Sequence, residues 1–177
     1  PEMLGTHIGP THSHSTGRTA SLAFRATTAL FGHAGIEWDI TETTAEERAQ
    51  LRAWTDFYKA NRGLLHSGRV IRVDQSTPDA HVHGVVAQDG NRALFAYVQL
   101  TQSPHNLAET MRLVGLDESA NYHVKLVKPF GDYDAVQKRD PHWVNGVTIS
   151  GGYLNKVGLR TPILKPEQAI LIEVSKA

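Results

Sequence analysis

The chain has 177 residues, 40% of them hydrophobic and 20% charged, with 18 Lys and Arg against 18 Asp and Glu and no cysteine. The zero formal net charge leaves no electrostatic footprint for nucleic acid or acidic membranes, and no stretch approaches the ~20 apolar residues of a membrane span. Missing cysteine removes disulfides, thiolate metal sites and a cysteine nucleophile, and the length is too short for a complete (β/α)8 barrel, which takes roughly 200 residues at least.

The opening Pro1-Glu2-Met3-Leu4 carries no signal- or transit-peptide pattern and no initiator methionine, so the sequence reads as part of a longer chain. Residues 1–10 hold Met3, Leu4 and Ile8 between glycines, which allows one short strand or a loop. Residues 10–17 are small and polar and read as a loop. Leu22, Ala26, Ala29 and Leu30 recur at helical spacing, and Gly32 and Gly35 stop that helix. Residues 37–40 form a bridge. Thr44 and Glu47 fit a capping box, followed by a stripe of Leu51, Trp54, Phe57 or Tyr58, and Leu64 or Leu65. Gly68 ends this second helix.

Beyond residue 68 the period changes from helical to alternating. Val70, Ile71 and Val73 make a short strand, and residues 81–88 make a second that ends at the hairpin signal Asp89-Gly90. Residues 92–100 place Leu94, Ala96, Val98 and Leu100 on one face and Phe95, Tyr97 and Gln99 on the other. Strands are also expected at Met111 and Leu113 up to Gly115, at 122–127, at Val147 and Ile149, and at 169–174. A long loop with Pro129, Gly131, Pro141 and Gly146 covers 128–146. About seven short strands separated by turn signals predict an antiparallel sandwich.

Candidate chemistry is sparse. His12 with His14, and His81 with His83, lie two apart, and the second pair shares a strand face on which a metal could be held. No third ligand of clear identity accompanies either pair, so solvated or locally bonded histidines are expected, with no metal and no cofactor. Glu37 and Asp39 flank Trp38, and Asp132 and Asp134 flank Tyr133, the carboxylate pairing used in glycoside hydrolysis. Ordinary loop positions explain them better, and no catalytic role is expected of either pair. Gly-x-Ser-x-Gly is absent, and Gly151-Gly152 is expected to start no helix and so to be no phosphate loop. Trp38, Trp54 and Trp143 are expected as core or interface anchors, Trp143 the least clearly so.

Several stretches resemble the C-terminal part of bacterial α-galactosidases of glycoside hydrolase family 36. Residues 1–9, Pro-Glu-Met-Leu-Gly-Thr-His-Ile-Gly, are similar to that family's Pro-Glu-Met-Met-Gly-Ser-His-Ile-Ser. Thr16-Gly17-Arg18, Arg25-Ala26 and the run from Ala29 to Ile40 follow it, with Ala34 where the family has Leu. Tyr58-Lys59-x-x-Arg62-x-Leu64-Leu65-x-x-Gly68 fits a further family segment, and Ser150-Gly151-Gly152-x-Leu154 and Gly158-Leu159 resemble its last region.

The resemblance implies that residues 1–68 end a catalytic (β/α)8 barrel, starting at its last strand, and that 69–177 form a C-terminal β-sandwich. It implies a retaining α-galactosidase acting on melibiose- and raffinose-type α-galactosides, without a cofactor, in the cytoplasm, as a homo-oligomer when intact. The family's two catalytic aspartates sit in motifs upstream of the last strand, and neither motif occurs in this sequence. No catalytic residue can therefore be carried over, and the chain alone is expected to be inactive. Thr6 and His7, just past a strand at the carboxyl end of such a barrel, are the candidates for lining or supporting the site. A free-standing sandwich that binds carbohydrate or a partner protein is the alternative. Strand edges without their barrel neighbours would favour pairing with another chain.

Overall fold

The computed structural model describes residues 3–74, 78–105, 109–130, 132–136 and 139–177. Pro1 and Glu2 of the opening motif, and Gly131 of the long loop, lie outside the described residues. Strand β1 (Gly5–Ile8) leads through helix α1 (Leu22–Ala29) to strand β2 (His33–Ile36). The Ser21 hydroxyl caps α1 by accepting the Phe24 amide at 3.2 Å. The two strands are parallel, with Gly5 opposite His33 and Ile8 opposite Ile36, and with α1 as the crossover.

Strand β2 is absent from the pattern reading, which has a helix stop and a bridge over these residues. Four residues containing Ala34 and Gly35 show no apolar alternation, so no local signal exists. The strand forms because β1 offers it a ladder. Its flanks are held by the His33 amide on Leu4 O at 2.8 Å and the Glu37 amide on Ile8 O at 3.0 Å. Strand β1 is therefore followed by another strand parallel to it, and is not the last of its series.

A 3-10 turn (Ile40–Glu42) precedes helix α2 (Ala45–Ser67). The capping box forms as the spacing predicts, with the Glu47 amide on the Thr44 hydroxyl at 3.1 Å and the Thr44 amide on the Glu47 carboxylate at 2.8 Å. Leu51, Trp54 and Leu65 are buried along one stripe, and Gly68 is the C-cap. Trp54 joins the helices, because its indole N–H donates to Ala26 O at 3.0 Å. His33 at the start of β2 stacks on His66 of α2 at 4.3 Å, and the His66 Nε2 meets the Tyr58 hydroxyl at 2.7 Å.

The rest of the chain supplies β3 (Arg69–Val73), β4 (Ala80–Val86), β5 (Arg92–Gln99), β6 (Thr110–Met111), β7 (Asn121–Val127), β8 (Val147–Ser150), helix α3 (Gly151–Lys156), β9 (Leu159–Arg160) and β10 (Gln168–Lys176). Six of these strands form one antiparallel sheet in the order β3-β4-β5-β10-β7-β8, and β6 pairs with β9 apart from it. The expected hairpin at Asp89-Gly90 is present, with Gly90 at φ 71°. The strand read over Met111 and Leu113 shrinks to two residues, although both side chains are fully buried. Gly151 does start a helix, contrary to the expectation. The reason is Ser150, whose hydroxyl accepts the Tyr153 amide at 3.3 Å and caps it.

Both faces of the six-stranded sheet are covered. Leu94, Ala96, Val98, Val85, Ala169 and Leu171 pack against Ile8, Leu22, Ala26, Leu30, Leu51, Trp54 and Leu65 of the helical segment. Phe95, Tyr97, Val82, Val124, Ile170 and Ile172 pack against Met111, Leu113, Trp143, Leu154 and Leu164. The second face thus carries a thin sandwich-like layer of β6, β9, α3 and loop. Trp143 anchors that layer with no exposed surface, its indole N–H on Arg160 O at 2.8 Å. Among the described residues no helix is long and apolar enough to cross a membrane.

Trp54→Ala is expected to destabilise the fold by about 3–5 kcal/mol, because it leaves a cavity between α1, α2 and the sheet and orphans Ala26 O. Trp54→Phe, which loses mainly the hydrogen bond, should cost about 1 kcal/mol. Urea denaturation of the two variants measures the difference.

Candidate functional site

Alternation along β1 sends its side chains to opposite sides. The Thr6 hydroxyl donates to Ala29 O at 2.7 Å and Ile8 is fully buried, so both face α1. His7 points the other way, with 60% of its side chain exposed. Gly35 lies directly across from it in register, and a Cβ there would come within 3.3 Å of the His7 ring. Glycine at this position therefore leaves room for the imidazole. Past the end of β2, Glu37 returns to the same side, its carboxylate 3.6 Å from His7 Nδ1 and 78% exposed.

These residues border an open cleft of about 730 Å³ at the carboxyl ends of the two parallel strands, lined also by Phe24, Arg25 and Trp38. Ligands of parallel α/β units bind at this end, where strands stop and loops begin. A wider opening of about 1150 Å³ lies beside β8 and α3, away from the parallel strands. It has no comparable convergence of strand ends, and the smaller cleft is the better candidate.

Arg25 of α1 holds the cleft in shape. Its guanidinium donates to Ala20 O at 3.1 Å, to Gly9 O, and to the Thr11 hydroxyl at 3.0 Å, and it lies 5.2 Å from the centre of the Trp38 ring. The Thr11 hydroxyl in turn donates to the Glu47 carboxylate at 2.9 Å, which ties the loop after β1 to the start of α2. Burial draws the Arg25 pKa below its ordinary value, and the charge of Glu47 opposes that shift. The Glu47 carboxyl is held below the usual range chiefly by the Thr44 amide, then by the Thr11 hydroxyl.

Of the other sequence candidates, Asp39 and His14 also border this cleft and the rest are dispersed. Asp39 accepts from the Thr41 amide at 2.9 Å and its hydroxyl at 2.6 Å, which caps the 3-10 turn and lowers its carboxyl pKa. Asp132 pairs with Lys128 at 2.9 Å and Asp134 with Lys165 at 2.7 Å, far from each other's chemistry. His12 meets the Thr19 hydroxyl at 3.3 Å, while His14 reaches the cleft. His83 packs edge-on against Phe31 at 4.7 Å. Among the described residues no group of three His, Asp or Glu is placed to hold a metal ion. In the sequence Arg25 stands only within the Arg25-Ala26 resemblance, with no role of its own, and Glu37 only beside Asp39. The partners of Arg25 come from the loop between β1 and α1 and from Trp38 after β2, so no short window brings them together.

Comparison with known proteins agrees with this layout. Residues 1–68 match the Melibiase family model, and residues 80–173 match the glycosyl hydrolase family 36 C-terminal domain. An α-galactosidase of Escherichia coli is 37% identical over 100% of this chain, which spans 26% of that relative. The α-galactosidase AgaA of Geobacillus stearothermophilus superimposes with a TM-score of 0.81 at 23% identity, over 99% of this chain and 22% of that one. A variant of AgaA in complex with raffinose gives a TM-score of 0.80 at 23% identity over 98% of this chain and 22% of its own. The fold and the match over its sheet are those of a glycosyl hydrolase segment. The chain belongs to glycosyl hydrolase family 36. It spans about a quarter of the length of the E. coli relative.

The partly buried His83 yields a pH prediction. Loss of solvation, then the neighbouring His81, lowers its pKa below the ordinary histidine value. The unfolded chain therefore binds a proton that the folded chain resists, and stability falls as pH drops from about 6.5 to the lowered folded value. His83→Gln should flatten that part of the slope in urea midpoints measured between pH 7.5 and 5.

Proposed function

We propose that this chain is the C-terminal portion of a retaining α-galactosidase hydrolysing terminal α-galactosides of the melibiose and raffinose class. The observation that carries this reading is the parallel β1–α1–β2 unit, whose carboxyl ends open into a cleft bordered by His7 and Glu37 together with Phe24 and Arg25 of α1. The 37% identity to the E. coli α-galactosidase along the whole chain supports it. So does the likeness in fold to AgaA, whose variant is in complex with raffinose.

On this reading residues 1–68 close the catalytic barrel and 69–177 form the C-terminal sandwich. Since β2 follows β1 in parallel, the segment supplies the last two barrel strands. Helix α1 then lies outside the barrel, and His7 and Glu37 face its interior. His7 lines the rim, and Thr6 supports it by fixing β1 to α1. The catalytic aspartates come from upstream strands, so residues of this chain shape the sugar site and exclude water without breaking the bond. The free edges of β1 and β2 join barrel neighbours, the intact enzyme is a homo-oligomer, and by resemblance it acts in the cytoplasm.

Expression of the complete reading frame tests this. The full-length protein should hydrolyse a nitrophenyl α-galactoside, and residues 1–177 alone should not. A frame that starts just before Pro1, or a full-length protein without turnover, overturns the proposal and favours a free-standing sandwich.

A further inference from the structure

We propose that Glu37 and His7 form a hydroxyl-binding pair for the neutral sugar ring, with Arg25 as the positioning residue behind them. This rests on the α-galactosidase reading above and adds to it a carboxylate with a definite role.

Asp39 is engaged by Thr41 through two hydrogen bonds, and Glu47 by Thr44 and Thr11. Among the described residues Glu37 meets His7 alone, at 3.6 Å, and leaves most of its side chain exposed beside the cleft. Its backbone, by contrast, is fixed, because its amide is bonded to Ile8 O at 3.0 Å as an extension of the parallel ladder. The next residue, Trp38, lies beside the Arg25 guanidinium, which also grips Gly9 O at the end of β1. One cation therefore sets the spacing between the two strand ends that carry His7 and Glu37. Gly35 completes the arrangement by leaving the imidazole unobstructed beside the strand.

The chemistry selects the ligand class. An ionised carboxylate accepts hydroxyl hydrogens, and an imidazole nitrogen either donates or accepts. Set side by side, they match two neighbouring hydroxyls of a polyol. A metal ion would need a third ligand, and among the described residues none is placed to provide it. The indole of Trp38 adds an apolar wall to the same cleft, as sugar sites commonly combine a flat apolar surface with a few oriented polar groups.

The test uses the complete enzyme with a galactoside and its monodeoxy analogues. Glu37→Gln and His7→Ala should each lower kcat/KM on the parent galactoside by about tenfold to a hundredfold, the range for a hydrogen bond to a charged group. On the one analogue lacking the contacted hydroxyl, the loss should shrink to within about twofold. Arg25→Lys, which keeps the charge but not the planar fork, should raise KM with the same analogue dependence. Asp134→Asn, outside the cleft, should change neither parameter. Thermal midpoints of the Glu37 and His7 variants should match the parent, and galactose inhibition constants give a second reading of binding. Variants that keep kcat/KM within twofold overturn the inference, as does an equal loss on every analogue. A parent enzyme with no turnover overturns the α-galactosidase reading itself.

Discussion

The burial of one sheet on both faces is the constraint on which the rest of this structure depends. Strand β5 pairs with β10 along its full length, from Gln99 opposite Gln168 to Arg92 opposite Ser175. Seven of the eight β5 residues are buried. A strand buried on both sides must send apolar groups both ways, and β5 does so with Leu94, Ala96 and Val98 toward the helices and Phe95 and Tyr97 toward the far layer. The polar exceptions are bonded internally. The Tyr97 hydroxyl donates to Gln99, the Gln99 amide reaches Asp79 and Thr101 O, and burial pushes the Tyr97 pKa to about 12. The sheet is thus a wall against which α1 and α2 are immobilised.

That wall also fixes the cleft. Trp54 and Leu65 of α2, and Leu22 and Ala26 of α1, rest on Val85, Leu94 and Leu171. Ile8 belongs to the same cluster, so β1 is anchored at its carboxyl end by the same packing. Arg25 projects from α1 at that level and gathers the loop after β1 and the residues after β2. Precision at the strand ends therefore derives from a hydrophobic contact made far along the sequence. Side chains at a rim hold their geometry when the elements beneath them are rigid.

Much of this was legible from residue order alone. The Thr44–Glu47 capping box, the α2 stripe, the Asp89-Gly90 hairpin and the two faces of β5 are all local patterns that the structure reproduces. Trp143, expected as an anchor though set in a polar stretch, is fully buried with its indole N–H on Arg160 O. Two features were not legible. Strand β2 lacks alternation and exists through its ladder with β1, a partner distant in sequence. Helix α3 is six residues long, too short for a periodic signal, and depends on its adjacent Ser150 cap.

For the site the division is sharper. The sequence by itself determined the element types, the change of period near residue 68 and the family resemblance carried by the motifs from Pro1 to Gly68. It also placed Thr6 and His7 beside a strand end. Only the tertiary structure decided that Thr6, at the edge of the cleft, bonds to α1 while His7 turns to Glu37, and that Asp39, beside the same cleft, is taken up by Thr41. The reason is physical: side-chain direction in a strand follows from its pairing, and pairing between residues 5–8 and 33–36 is a long-range event that no short window encodes.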